Sequence, residues 1–143
     1  MPYVLDTNIF NRIVDGSIAF DDLPTDESLV ATYVQIDEIN NTKDTERRAR
    51  LFLAFADVRP QIISTESFVW DVSRWDRSKW SDGVLYQVLK NEIDSLNKSK
   101  PNNVQDTLIG EVAIVNGCTL LTTDNDLATV VRKHGGKVIL YKA

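Results

Sequence analysis

The sequence predicts a protein of the α/β class with a mainly parallel central sheet. Short apolar runs alternate along the chain with longer segments in which apolar residues recur at helical spacing. Glycine and proline residues fall between these segments, where turns are needed. The chain has 143 residues, of which 43% are hydrophobic and 26% charged, so it can bury a core without disulfides. We expect one domain that spans residues 1–143.

Five apolar runs are predicted to form the strands. The first ends at Asp6, the second is the β-branched and aromatic run LVATYV, and the third follows Pro60. The last two are CTLLT and KVILY. The predicted strands cover residues 3–5, 29–34, 61–64, 118–122 and 137–141.

Helices are predicted between the strands. The first ends at Gly16, and the acidic segment 17–27 is expected to be loop or short helix. The others are predicted at 36–56 (as one or two helices), 64–75, 84–96, 104–116 and 126–134. The buried stripe predicted for the segment 84–96 consists of Leu85, Leu89, Ile93 and Leu96.

Charge and composition exclude several classes of protein. The formal net charge of −5 argues against indiscriminate binding to nucleic-acid phosphates, but not against a nuclease with acids in its site. Cys118 is the single cysteine, so neither a disulfide nor a zinc cluster is expected. His134 is the single histidine, which excludes a ribonuclease with paired histidines. We find no Walker loop, GxSxG elbow, signal peptide or membrane span, and we expect a cytoplasmic protein.

Four carboxylates fall where the predicted strands and helices meet. Asp6 ends the first strand, and Glu38 follows the second at a helix start. Asp124 follows the fourth strand, with Asp126 two residues on, and Asp106 lies in the first turn of the helix over 104–116. Ligand sites of open parallel sheets form beyond the carboxyl ends of the strands. The four acids are therefore predicted to converge on one acidic pocket.

Such a pocket requires a counter-charge. Two carboxylates roughly 5 Å apart repel by about 3 kcal/mol at an effective dielectric constant of about 20. Some of them must therefore protonate, or a divalent cation must bind among them. Oxygen ligands suit Mg²⁺ or Mn²⁺, which can activate water and stabilise charge on a phosphate. The pattern predicts phosphodiester hydrolysis with one or two metal ions.

Each acid also has a structural interpretation. Asp124 could cap the helix that follows it, and Asp106 could form a capping-type pair with Asn103. Glu38 could simply favour a helix dipole. Asp6 is harder to explain in this way, because a charge at the end of an apolar strand is costly to bury unpaired. The prediction of a metal site therefore depends on the whole set.

Polar neighbours of the acids are candidates for substrate contacts. Thr7, Asn8 and Thr123 could orient the carboxylates or bind substrate. In strand-to-helix turns such residues also satisfy local backbone groups, and Thr122 is assigned to that second role.

Two arginines are the basic candidates for substrate binding. Arg47 and Arg48 could contact RNA phosphates, although a solvated helix face explains them at least as well. The three tryptophans between positions 70 and 80 are expected to pack in a core or an interface rather than to stack on bases.

Three segments resemble the motifs of PIN-domain nucleases: VLDTNIF, QIDEI and NNVQDTLIGEVAIVNGCTLLTTDNDL. Their order and spacing match that family over most of the chain. The resemblance implies a three-layer α/β/α sandwich and a Mg²⁺- or Mn²⁺-binding acidic quartet. The residues it implies are Asp6, Glu38, Asp106 and Asp124, with Asp126 as a neighbour that could replace Asp124.

The small size of the chain is similar to that of VapC-type toxins. That resemblance implies a metal-dependent endoribonuclease, a homodimer, no membrane association, and a small antitoxin protein whose tail enters the active-site groove. The segment 68–100 departs from a typical toxin. The alternative is a non-catalytic PIN-like module that binds protein or RNA. A phosphotransfer receiver domain fits poorly, because Lys137 begins the last strand instead of ending it.

Overall fold

A computed structural model describes residues 2–65 and 83–142. In these residues five parallel strands form one sheet in the order β3-β2-β1-β4-β5. The strands are β1 (Tyr3–Leu5), β2 (Leu29–Ala31), β3 (Gln61–Ile62), β4 (Thr119–Thr122) and β5 (Lys137–Leu140). The predicted α/β class with a mainly parallel sheet is confirmed.

Six α-helices connect or flank the described strands. They are α1 (Thr7–Asp15), α2 (Tyr33–Asn40), α3 (Thr45–Val58), α4 (Val84–Asn97), α5 (Asn103–Asn116) and α6 (Asn125–Lys133). A 3₁₀ turn (Phe20–Asp22) lies in the segment predicted as loop or short helix. The helix predicted at 64–75 and the three tryptophans lie almost entirely outside the described residues.

The strands present alternate residues to two separate cores. Val4 and Leu120 belong to a buried cluster with side chains of α4, α5 and α6. Their neighbours Leu5 and Leu121 belong to a second cluster with side chains of α1 and α3. Successive side chains of a strand point to opposite faces, so these two clusters lie on the two sides of the sheet. The sheet is thus the middle layer of a three-layer sandwich.

The second strand is shorter than predicted, because a capping box starts a helix early. The Thr32 hydroxyl accepts a hydrogen bond from the backbone N–H of Val34 at 3.1 Å. The Gln35 side chain in turn accepts from the backbone N–H of Thr32 at 2.9 Å. The prediction that this strand reaches residue 34 is wrong. Glu38 consequently lies towards the end of α2 and not at a helix start.

The prediction of a buried stripe along α4 is wrong at the carboxyl end of the helix. Leu89 and Ile93 are each 1% exposed, as expected, but Leu96 is 51% exposed. Leu96 lines an open groove with Val130 and Lys133 of α6, which leaves this end of the helix uncovered. Among the described helices, none is long and apolar enough to span a membrane.

Candidate active site

Four carboxylates interact at the carboxyl edge of the sheet. The negative charges of Asp6, Glu38 and Asp124 each raise the pKa of Asp106, so each of these three acids lies within electrostatic range of Asp106. Asp6 follows β1, Asp124 follows β4, and these two strands are neighbours in the sheet. Parallel strands therefore bring together acids from distant parts of the sequence.

Asp6 is buried and is held by a hydroxyl group. The side chain is 2% exposed, and its Oδ2 accepts a hydrogen bond from Thr122 Oγ1 at 2.7 Å. Burial raises the pKa of Asp6 to about 6, with a further contribution from the charge of Asp124. The Thr122 hydroxyl and the backbone N–H groups of Thr7 and Asn8 oppose this rise without cancelling it.

Glu38 is also held by a hydroxyl group. Its Oε1 accepts a hydrogen bond from Thr7 Oγ1 at 2.7 Å. Burial raises the pKa of Glu38 to about 7, and the charge of Asp6 adds to the rise, while the Thr7 hydrogen bond lowers it. Thr7 therefore contacts an acid of the pocket directly, as one of its two sequence interpretations expects.

Asp106 is the most strongly perturbed acid. Its pKa is raised to about 9, first by burial and then by the negative charges of Asp6, Glu38 and Asp124. The positive charge of Lys100 lowers it. The capping interpretation does not hold here: Asn102 is the N-cap residue of α5 and its side chain makes no capping hydrogen bond. The side chain of Asn103 instead contacts α4.

Asp124 does cap a helix. Its Oδ1 accepts hydrogen bonds from the backbone N–H groups of Asp126 and Leu127, at 2.9 Å and 3.2 Å. Within residues 2–65 and 83–142, no hydrogen bond is made to its other carboxylate oxygen. Asp126 lies in the first turn of α6, but its charge is not among the main contributions to the raised pKa values of Asp6, Glu38 and Asp106.

Thr122 has a larger role than the sequence indicated. Its hydroxyl accepts from the backbone N–H of Asp124 at 3.0 Å, which is the local role assigned to it. The same hydroxyl also donates to Asp6, so Thr122 links two acids of the pocket. The only signal in the sequence was a threonine two residues before the aspartate that follows a strand.

We expect Thr122→Val to lower metal-dependent activity about 10- to 100-fold, the usual effect of removing a partner that orients an acidic ligand. The variant also leaves the Asp124 N–H without its acceptor, which costs roughly 1–3 kcal/mol of stability. Cleavage rates and urea unfolding measure the two effects, and Thr122→Ser should restore both. Thr129→Val is the matched control, since Thr129 is exposed and bonds only within α6. A fully active Thr122→Val protein contradicts this role.

The other predicted substrate contacts have structural partners. Asn8 joins the first turn of α1 to the loop that follows β4, because its Oδ1 accepts from the backbone N–H of Thr123 at 3.3 Å. Arg47 forms an ion pair with Asp15 at 2.8 Å and donates to Asn11 at 2.9 Å. Neither Arg47 nor Arg48 is among the charges that act on the three perturbed acids. Their contact with RNA stays a prediction.

The donor chemistry of the pocket fits a hard divalent cation. The acids offer only oxygen ligands, and a cation would relieve the repulsion that raises their pKa values. In the described part of the chain, however, no three acidic, cysteine or histidine side chains are grouped closely enough to hold a metal ion as they stand. Binding would therefore require carboxylates that already interact electrostatically to turn inwards.

Comparison with known proteins reveals a likeness in fold only. No known family matches the sequence, and no curated protein matches it either. The fold is similar to that of a chain in the crystal structure of VapBC2 from Rickettsia felis, which was solved bound to a DNA fragment from its promoter. The two sequences are 17% identical, the TM-score is 0.61, and the alignment covers 99% of this chain and 100% of that chain. The fold is also similar to that of VapBC-1 from nontypeable Haemophilus influenzae, with 16% identity, a TM-score of 0.59 and an alignment that covers 98% of each chain.

A third likeness is to a domain of a functionally unknown protein from Methanocaldococcus jannaschii, with 14% identity, a TM-score of 0.55, and 99% of this chain and 91% of that chain covered. Together with the parallel sheet and its layers, these matches show that the chain folds as a three-layer α/β sandwich. Within that class, the chain has a VapC-like PIN-domain fold.

Proposed function

We propose that the chain is a Mg²⁺- or Mn²⁺-dependent endoribonuclease whose site consists of Asp6, Glu38, Asp106 and Asp124. The observation that carries the proposal is the raised pKa of three acids, the buried Asp6 and the partly buried Glu38 and Asp106, which act on one another at the carboxyl edge of the sheet. Grouped titratable residues with strongly shifted pKa values are typical of functional sites. The VapC-like fold supports the same function.

The four acids would hold the ion, and two hydroxyl groups prepare them for it. The Thr122 hydroxyl binds one oxygen of Asp6, and the Thr7 hydroxyl binds one oxygen of Glu38. These two hydrogen bonds fix the orientation of the two carboxylates. When bound, Mg²⁺ or Mn²⁺ lowers the pKa of a water molecule and stabilises charge on the phosphate. Protons held by Asp106 and Glu38 leave when the ion binds, so metal affinity rises with pH.

The proposal includes a protein partner. We infer, by analogy with the VapBC structures of the same fold, that a small antitoxin protein silences the nuclease. We infer also that the chain forms a homodimer, as its resemblance to VapC-type toxins implies. Purification from the cells that produce the chain, followed by mass spectrometry and light scattering, tests both parts. A monomer that never co-purifies with a small protein contradicts them.

A non-catalytic binding module is the second candidate. It is favoured by one observation: no three acids in the described residues stand in metal-binding geometry. The two candidates differ in whether added Mn²⁺ binds at the pocket and whether RNA is cut.

Incubation of the purified chain with total cellular RNA tests the proposal. Reactions contain Mg²⁺, Mn²⁺ or EDTA, new 5′ ends are mapped, and Asp6→Asn serves as the inactive variant. Discrete cuts that require metal and disappear in the variant are expected. RNA that stays intact with either metal contradicts the nuclease and favours the binding module.

A further inference from the structure

The side chain of Gln35 joins the carboxyl ends of two neighbouring strands. Its Nε2 donates a hydrogen bond to the backbone carbonyl of Leu5 at 2.8 Å, and its Oε1 accepts one from the backbone N–H of Thr32 at 2.9 Å. Leu5 is the last residue of β1, and Thr32 directly follows β2. Gln35 and Thr32 are both 0% exposed, so this amide bridge is buried at the edge of the sheet where the acidic pocket lies.

The amide bridge stands where the ladder between β1 and β2 stops. The two strands pair in parallel as far as Val4↔Val30, whereas β1 stays paired with β4 to its last residue. One further step of the ladder between β1 and β2 would bring the Thr32 N–H to the Leu5 carbonyl, because the bonds of a parallel ladder are evenly spaced. The Gln35 amide binds both of these groups instead. It is therefore a spacer between two backbones that the register would otherwise pair directly.

Helix α2 contacts the chain on both sides of Asp6. Gln35 binds the carbonyl of Leu5, which is the residue before Asp6. Glu38 accepts from the hydroxyl of Thr7, the residue after Asp6, at 2.7 Å. Gln35 and Glu38 are three positions apart in α2 and so lie on the same face of the helix. Two contacts from one helix face thus hold the backbone that carries Asp6 at a fixed place relative to Glu38.

We propose that Gln35 is a positioning residue that sets the separation between Asp6 and Glu38, so that the two carboxylates can bind one divalent cation. Without the amide, the Leu5 carbonyl and the Thr32 N–H can pair directly, which closes the ladder by one step and draws β1 towards the start of α2. Mg²⁺ and similar ions accept their oxygen ligands only in near-ideal octahedral geometry, so such a shift weakens binding. The inference rests on the proposed metal-dependent function.

Calorimetric titration with Mn²⁺, in the absence of RNA, tests this role. Gln35→Ala removes the amide and leaves room for the ladder to close. It should raise the Kd for Mn²⁺ at least about tenfold, the lower end of what the loss of a residue that orients metal ligands usually costs. If Gln35→Ala does not fold, Gln35→Asn takes its place. Asparagine keeps the amide but is one methylene shorter, so it cannot reach both backbones, and the same rise in Kd is expected.

Thr32→Ala is the matched control, because it separates the start of α2 from the spacer. The Thr32 hydroxyl accepts from the N–H of Val34 and donates to Gln35 Oε1, and its loss leaves both bonds of the amide bridge in place. The variant should lower the urea midpoint, as the loss of a helix cap does, and leave the Kd for Mn²⁺ unchanged. Equal rises of Kd in Thr32→Ala and Gln35→Ala would reduce Gln35 to a helix cap and overturn the inference.

A second measurement follows the spacer without any metal. In Gln35→Ala, NMR should detect a scalar coupling across a new hydrogen bond between the Thr32 nitrogen and the Leu5 carbonyl carbon, and this coupling should be absent from the wild-type protein. Its absence from the variant overturns the spacer. An unchanged Kd for Gln35→Ala, beside a wild-type protein that binds Mn²⁺, overturns the positioning role alone. A wild-type protein that binds no Mn²⁺ contradicts the proposed function instead, and the NMR coupling then still decides whether Gln35 separates the strands.

Discussion

Asp6→Asn is expected to lower kcat/KM for metal-dependent RNA cleavage by more than about a hundredfold while the fold stays intact. Removing a residue that merely orients a metal ligand typically costs 10- to 100-fold, so the loss of a ligand should cost more. Asparagine has nearly the same shape and keeps an oxygen that can accept from Thr122, but it lacks the negative charge. Cleavage rates with Mn²⁺ and a thermal unfolding curve measure the two quantities.

Asp57→Asn provides the control for this experiment. Asp57 is an exposed aspartate of α3, and its charge does not act on the perturbed acids. It should retain wild-type activity. If Asp6→Asn were also fully active, Asp6 would not be a ligand, and the metal site would have to lie elsewhere.

Asp106→Asn should stabilise the ion-free protein at neutral pH. The pKa of Asp106 is about 9 in the folded protein against an ordinary value of 3.8, so the folded state binds this proton more tightly than the unfolded state. Stability attributable to the group is therefore highest below about pH 4 and is lost as the pH rises towards about 9. At neutral pH the wild-type protein must therefore take up a proton at Asp106 when it folds, whereas asparagine needs none, so the variant should gain at least ~1 kcal/mol in the free energy of unfolding.

Urea unfolding with EDTA across this pH range checks the prediction. The wild-type free energy of unfolding should decline with rising pH, and the decline should be smaller in Asp106→Asn. Added Mg²⁺ should stabilise the wild-type protein and not the variant, because only a protein that binds the ion gains from it. Identical pH profiles of the two proteins would show that Asp106 is not strained by its neighbours.

Most of the fold was predictable because strand and helix periodicities are local properties of the sequence. The run before Asp6 and the helix ended by Gly16 occur as expected. The end of the second strand was missed since LVATYV has the composition of a strand throughout, and only the contact between Thr32 and Gln35 decides where the helix begins. Local hydrogen bonding thus overrode β-propensity.

The candidate site was predictable in its members but not in their roles. From sequence alone, Asp106 and Asp124 were equally good helix caps. The structure separates them: Asp124 caps α6, whereas Asp106 makes no capping contact and has its pKa raised by the charges of Asp6, Glu38 and Asp124. The hydrogen bond from Thr122 to Asp6 and that from Asn103 to Asp94 could not be foreseen, because each joins residues of different elements.

The pairing of β1 with β4 has a consequence for biosynthesis. The hydrogen bond that orients Asp6 comes from a residue 116 positions later, and β4 is the strand that completes that side of the pocket. Contacts of such long sequence separation form late in folding and cannot form at all while the distant strand is still inside the ribosome. A growing chain that ends before Thr122 therefore lacks the hydroxyl that orients Asp6, and the acidic pocket can assemble only after most of the chain has left the ribosome.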